Sequence, residues 1–274
     1  MLCQFTVKNF KSIRDEVTFD MQAAAISEHE DRIIIDKNAE KYLPVSAIYG
    51  PNGGGKSNVL AALHTLVAKV LRPLFATEDS EERVLFQKKI IVEPFAFSES
   101  RNEPTEFELF FRTTVSEYRY ILHVKRDIVL YERLDRVKLE TGRKSALFTR
   151  DENGIVLKGA FAKLNVSDEL SKTLTLLSYL GIAYKGNAVV KDVLSWFEYG
   201  IEFLNYGNPI QELKMAVSTS EEVKQLMLQM IQEMDLDIVD FRVEEKENER
   251  IDIFTKHCVD DVETEINLFD ESSG

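Results

Sequence analysis

Cysteine is close to missing: Cys3 and Cys258 are the only two among 274 residues. They form no close metal-type pair and staple no small scaffold, so the sequence predicts a chain kept reduced in the cytoplasm, without a structural disulfide. Histidine is also thin, and His29, His64, His123 and His257 show no ligand spacing, so no zinc site is expected. Nor does any Ser-His-Asp or reactive-cysteine arrangement emerge. Positive charge is outweighed, 34 Lys and Arg against 47 Asp and Glu, which leaves a net charge of −13. That balance argues against a generally basic nucleic-acid surface, because phosphate contacts need clustered cations, although a local basic groove on assembly stays open. The acidic residues are spread out, with denser runs at 244–249 and 260–265 that read as solvated loop or strand faces. No apolar run approaches the roughly 20 residues that span a bilayer, and Met1-Leu2-Cys3-Gln4-Phe5 opens a strand rather than a basic-then-apolar leader. No membrane partner is expected.

What the chain does hold is a hydrophobic share of 44%, enough for a substantial core in one large or two ordinary domains. Its chemistry is concentrated in Ser46 to Asn58, which reads SAIYGPNGGGKSN. Gly50 through Ser57 fits G-x-x-x-x-G-K-[ST], the phosphate-binding loop. The apolar run Val45 to Tyr49 reads as a buried strand before it. Behind it Val59, Leu60, Leu63, Leu66, Val67, Val70 and Leu71 recur at helical spacing until Pro73, so strand, loop and helix follow in the order the motif needs. Glycines let consecutive N–H groups turn inward toward phosphate oxygens, and the helix N-terminus adds partial positive charge there. The expected cofactor-binding set is Gly50, Pro51, Asn52, Gly53, Gly54, Gly55, Lys56, Ser57 and Asn58. Lys56 is assigned to the β- and γ-phosphates, and the Ser57 hydroxyl to Mg²⁺. No Asn-Lys-x-Asp is present to read guanine, so ATP is the expected nucleotide.

Ahead of the loop, Gln4 to Asn9 and Val17 to Met21 read as strands, with Phe10-Lys11-Ser12-Ile13 at the turn between them. From Ile90 to Leu139 the chain reads as antiparallel strands. Phe107, Leu109 and Phe111 alternate, as do Tyr118, Tyr120 and Leu122, a pattern taken as sheet core rather than a base-stacking platform because basic residues between them are sparse. Asp151-Glu152-Asn153-Gly154 is a hairpin signal. From about Val166 to Asp235 the character turns helical. Thr219-x-x-Glu222 resembles a capping box, and Val223, Leu226, Met227, Met230, Ile231 and Met234 form one apolar stripe. Trp196, Phe197 and Tyr199 are expected in the core. Strand-like runs return at Ile238 to Val243, Arg250 to Phe254 and Glu263 to Phe269.

Taken together, NFKSI (Asn9 to Ile13), GPNGGGKSNVLAAL (Gly50 to Leu63), EPFAF (Glu93 to Phe97), PTEFELFF (Pro104 to Phe111), YRYILHV (Tyr118 to Val124) and FDESSG (Phe269 to Gly274) resemble the ABC-type ATPase heads of SMC, RecF and OLD-like proteins. In particular they resemble the bacterial AAA-labelled ATP-binding proteins that accompany abortive-infection and other phage-defence systems. The resemblance implies an α/β fold of the P-loop NTPase, ABC-head type: a mixed sheet with an antiparallel β region and a helical insertion. It divides the chain into a nucleotide-binding core at 1–165, a helical insertion at 166–235 and return strands at 236–274. It implies an ATPase using ATP and Mg²⁺, with Lys11 and Ser12 as further nucleotide contacts. ESSG would open a signature motif, Ser272, Ser273 and Gly274 acting on ATP held by the other subunit of a homodimer. A partner effector protein and DNA are further partners it leaves open, and charge does not support DNA. The Walker B carboxylates of such heads have no counterpart: the runs ending at Glu132 and at Asp240 read as ordinary strands. The chain is therefore expected to be a head truncated before Walker B, with no catalytic residue of its own and no activity alone. A non-hydrolytic nucleotide-binding module that signals through a partner is the alternative.

Overall fold

The computed structural model describes residues 1–25, 30–36, 39–76, 90–97, 99–167, 170–203, 224–226, 228–229, 232, 238–246, 250–259 and 262–267. The chain divides into two compact units, Met1–Glu202 and Phe203–Gly274.

Alternating apolar residues build the first unit. β1 (Leu2–Lys8), β2 (Val17–Asp20), β5 (Thr105–Arg112), β6 (Ser116–Lys125), β7 (Ile128–Lys138), β8 (Lys144–Asp151) and β9 (Gly154–Leu157) form one sheet in the order β2-β1-β5-β6-β7-β8-β9. Every ladder in it is antiparallel. Among the described residues the sheet is thus antiparallel where a mixed one was expected: β5 to β9 follow one another through short turns that cannot make parallel crossovers, and β1 joins β5 antiparallel from far away in sequence. The Asp151–Gly154 pair closes β8 onto β9 as the sequence predicts.

One face of the sheet is buried. Phe5, Val7, Phe107, Leu109, Phe111, Tyr118, Tyr120, Leu122, Val124 and Leu134 are all within 2% of complete burial, which makes the aromatic alternation core, as expected. The other face carries partly exposed pairs: Lys8 with Glu106 at 3.1 Å, Arg119 with Glu108, and Arg133 with Asp135 at 2.8 Å. Such pairs add little stability each; they mark the face left to solvent. A short hairpin of β3 (Ile34–Ile35) and β4 (Lys41–Tyr42) is tied to β5 by the buried Arg112. Its guanidinium binds Asp36, Glu40 at 2.9 Å and Glu117 at 2.6 Å while lying 5.1 Å from the Tyr42 ring.

Among the described residues three α-helices belong to this unit: α1 (Lys56–Phe75), α2 (Leu176–Ala183) and α3 (Ala188–Tyr199). The apolar stripe of α1 buries Val59, Ala62, Leu63, Leu66, Val67 and Val70. Pro73 does not end α1: it sits in the last turn, where the lost N–H forfeits one bond, and the helix runs on until Ala76 N–H donates to Arg72 O at 3.0 Å. By length and composition α1 could cross a membrane, contrary to the sequence reading, but its buried stripe is also what a core helix shows. Asn187 caps α3 by accepting from Val189 and Val190 N–H at 2.9 and 3.2 Å. Trp196 stacks on Phe111 at 4.5 Å, and Phe197 meets Tyr120 edge-on at 5.9 Å. Tyr199, expected beside them, is the last residue of α3 and is 79% exposed.

The second unit holds β10 (Ile238–Lys246), β11 (Arg250–Val259) and β12 (Val262–Asn267), an antiparallel sheet in sequence order that matches the three expected return strands. Helical residues at 224–226, 228–229 and 232 precede it. Leu228 is buried there while Leu226, placed on the apolar stripe by its spacing, is 59% exposed. The Thr219–Glu222 box and the stripe's Val223, Met227, Met230, Ile231 and Met234 lie outside the described residues.

Candidate functional site

Gly50 to Ser57 form a loop that feeds directly into α1. Gly53 and Gly55 hold φ of 77° and 83°, left-handed values that side chains other than glycine rarely take. Gly55 is the residue just before the helix, and the first turn of α1 carries no acidic side chain. The helix N-terminus therefore presents its unpaired N–H groups and partial positive charge to the loop without local repulsion. Gly54 N–H donates to Pro51 O at 3.0 Å, and Asn58 N–H to Gly55 O at 2.9 Å, which closes the loop at both ends. The Lys56 ammonium folds back to donate to Gly50 O at 2.8 Å and Pro51 O at 2.9 Å. Ser57 is exposed beside it.

A second element meets the loop. β1 ends at a turn in which Phe10 N–H donates to Ile13 O at 2.8 Å and Ile13 N–H to Phe10 O at 2.7 Å. Asn9, just before it, takes φ of 58° and is 1% exposed. Its amide donates to Ser100, Glu103 and Pro104 carbonyls at 2.7, 3.1 and 3.1 Å, and its oxygen accepts from Phe95 N–H at 3.0 Å. Sequence reasoning passed over Asn9, although a short polar residue before a turn is a signal for positive φ. The turn puts Ser12 against the loop: its Oγ accepts from Asn58 Nδ2 at 2.7 Å and lies 2.9 Å from where a Cβ on Gly55 would stand. Lys11 is anchored by its backbone N–H on Glu93 O at 2.9 Å, with its ammonium 5.5 Å from the Phe10 ring.

The structure thus brings together Gly50 through Asn58 and Ser12, with Lys11 on the adjoining turn. Ser272, Ser273 and Gly274 lie outside the described residues. The buried strand expected at Val45 to Tyr49 is not there: Val45 is 78% and Tyr49 90% exposed, and no described strand pairs with them. An apolar run becomes a strand only where a neighbour completes its ladder. Of the two carboxylates weighed as acids, Glu132 is committed to the start of α2 and Asp240 to an ion pair inside the second unit. Glu132 is fully buried and accepts from Tyr120 OH, Leu176 N–H and Leu177 N–H at 2.9, 2.5 and 2.9 Å, capping α2. Asp240 belongs to the second unit and pairs with Lys224 at 2.9 Å.

A phosphate-type loop at the head of a helix is shared by many families. Here the sequence model of one family, described as "AAA domain, putative AbiEii toxin, Type IV TA system", matches residues 45–274. The chain belongs to this AAA domain family. No curated protein matches it. The AAA domain is of the P-loop ATPase type, a nucleotide-binding class, and the α/β architecture with its largely antiparallel sheet is consistent with that. The AAA domain match begins at Val45, so the β1 turn that carries Ser12 stands ahead of it.

Proposed function

We propose that the chain is the ATP- and Mg²⁺-binding part of an ABC- or SMC-like cytoplasmic ATPase. The observation that carries this reading is the loop itself: left-handed Gly53 and Gly55 leading into the acid-free N-terminus of α1, with Lys56 as its first residue. The fit to a polyphosphate is chemical. The loop offers backbone N–H donors, a helix terminus and an ammonium that donates to two carbonyls of its own loop. Lys56 would exchange those carbonyls for β- and γ-phosphate oxygens, Gly53, Gly55 and Lys56 would hold the chain of phosphates by backbone N–H, and Ser57 would ligate the cation. Bound Mg²⁺ supplies charge neutralisation between phosphates. Lys11 and Ser12, on the turn beside the loop, are the further candidates, Lys11 toward the nucleotide and Ser12 toward the loop itself.

In the same reading two subunits pair head to head, and Ser272, Ser273 and Gly274 act on the nucleotide of the opposite subunit. Service in phage defence or DNA processing follows from the resemblance, and the toxin–antitoxin wording of the family description favours the former.

Titration of the chain with MgATP, beside Lys56→Ala, tests the nucleotide reading. Lys56→Ala should lose at least about tenfold in affinity, the scale of a charge-assisted contact to phosphate, with an unchanged melting temperature because Lys56 is a half-buried first residue of α1 and not part of the core. Equal affinities would remove the phosphate-loop assignment. For the trans role, Ser273→Arg in an ATP-hydrolysing dimer should keep single-subunit ATP binding and block ATP-driven pairing.

A further inference from the structure

Phosphate loops are shaped by their own glycines, yet this one also leans on a residue far away in sequence. Ser12 Oγ touches the two residues that bracket Lys56 and Ser57. It accepts the Asn58 amide at 2.7 Å, and it occupies the space next to Gly55, 2.9 Å from the place of a missing Cβ. Asn58 is held a second time, through its backbone N–H on Gly55 O at 2.9 Å. The three residues close a small triangle around the start of α1.

Ser12 is itself well fixed. Its turn is clasped by the reciprocal Phe10–Ile13 bonds, and Phe10 and Ile13 are 1% and 7% exposed, so the turn is nailed to the core on both sides of an exposed serine. Asn9 ties the same turn to the 95–105 segment with four side-chain bonds, and Thr105 donates its hydroxyl to Asn9 O at 2.6 Å.

We propose that Ser12 is a positioning residue for the phosphate loop, a fixed peg that sets Gly55 and Asn58 so that the N–H groups and the Lys56 side chain between them converge on one polyphosphate. The assignment rests on the phosphate-loop reading and deepens it. It gives Ser12 a role through Asn58 and Gly55 rather than as a nucleotide ligand. The peg needs a hydroxyl at this point of the turn, so threonine can replace serine and alanine cannot.

The test uses Ser12→Ala, Ser12→Thr, Asn58→Ala and the Ser12→Ala/Asn58→Ala double variant of the whole chain, titrated with MgATP and with inorganic pyrophosphate. Ser12→Ala and Asn58→Ala should each weaken both ligands about fivefold, the factor one neutral hydrogen bond carries, and the double variant should be no weaker than either. Ser12→Thr should bind like wild type. In the ligand-free chain, Ser12→Ala should speed amide exchange at Ser57 and Asn58 while the melting temperature stays put, a pattern that general loss of structure would not give. If Ser12→Ala binds and exchanges like wild type while Lys56→Ala loses affinity, the positioning role is wrong and the phosphate loop stands. Additive losses would likewise show that Ser12 and Asn58 act separately. If wild type and Lys56→Ala are equally indifferent to pyrophosphate and MgATP, the phosphate-loop reading fails, and the peg with it.

Discussion

Glu132 shows at the scale of one residue how a carboxylate can be costly and necessary together. Burial pushes its proton affinity above the usual glutamate range, while the Leu176 and Leu177 N–H groups, the Tyr120 hydroxyl and the nearby Arg150 pull it back. Its two oxygens serve three donors in the buried interior, so Glu132→Ala strands buried N–H groups at the start of α2 and should cost about 3 kcal/mol. A urea melt of the variant checks this, and ATP affinity should not change. His123 makes a case that pH can read. It lies on the outer face of β6, opposite Glu106 in register and 5.0 Å from the Tyr131 ring, with Lys8 and Glu108 also acting on it. Burial lowers its value below the ordinary 6.5. The folded chain therefore prefers the neutral ring and the unfolded chain takes up the proton first. Its contribution is complete above pH 6.5 and is lost as pH falls through the lowered folded value. His123→Gln should flatten the stability profile between neutral and mildly acidic pH, measured by thermal melts at matched ionic strength.

At the scale of elements, the helices are fitted to each other more tightly than their sequences reveal. Ser178 of α2 donates its hydroxyl to Val70 O of α1 at 2.6 Å, a buried link between the helix that starts at the phosphate loop and the one Glu132 caps. A Cβ on Gly181 would stand 2.4 Å from Leu74 Cδ2 and 2.6 Å from Leu194 Cδ1, so α1, α2 and α3 meet where only glycine fits without adjustment. Gly181→Val should lower stability by about 1–3 kcal/mol as those leucines are forced aside, seen as an earlier urea midpoint with an unchanged slope. Elements whose signal is local could be read directly from the sequence. The period-2 alternation of β5 and β6, the Asp151–Gly154 turn and the apolar stripe of α1 stand where their residues put them, except that Leu60, placed on that stripe, is 51% exposed. Elements whose state depends on a distant neighbour could not. Val45 to Tyr49 has the composition of a strand and no described ladder partner, and Leu226 has the spacing of a core position and an exposed side chain. Pro73 misled because a proline in the last helical turn forfeits a bond near the end, where little follows to be lost.

At the scale of the molecule, a chain with net charge −13 has to hold a polyanion by local means. In the proposed reading the candidate site would do so with backbone donors, one helix terminus and one lysine rather than with a basic surface. The loop's residue types were legible because the motif is contiguous and its glycines are fixed by backbone geometry. The Ser12 contact was legible only as a resemblance, since nothing in local sequence tells that residues 12 and 58 meet. The most direct check of the account is a backbone amide spectrum of the chain, followed as inorganic pyrophosphate and then MgATP are added. The account predicts that the amides of Gly53, Gly54, Gly55 and Lys56 shift with pyrophosphate alone, and that MgATP reproduces and extends those shifts. Shifts confined to other segments, or none at saturating MgATP, would contradict it.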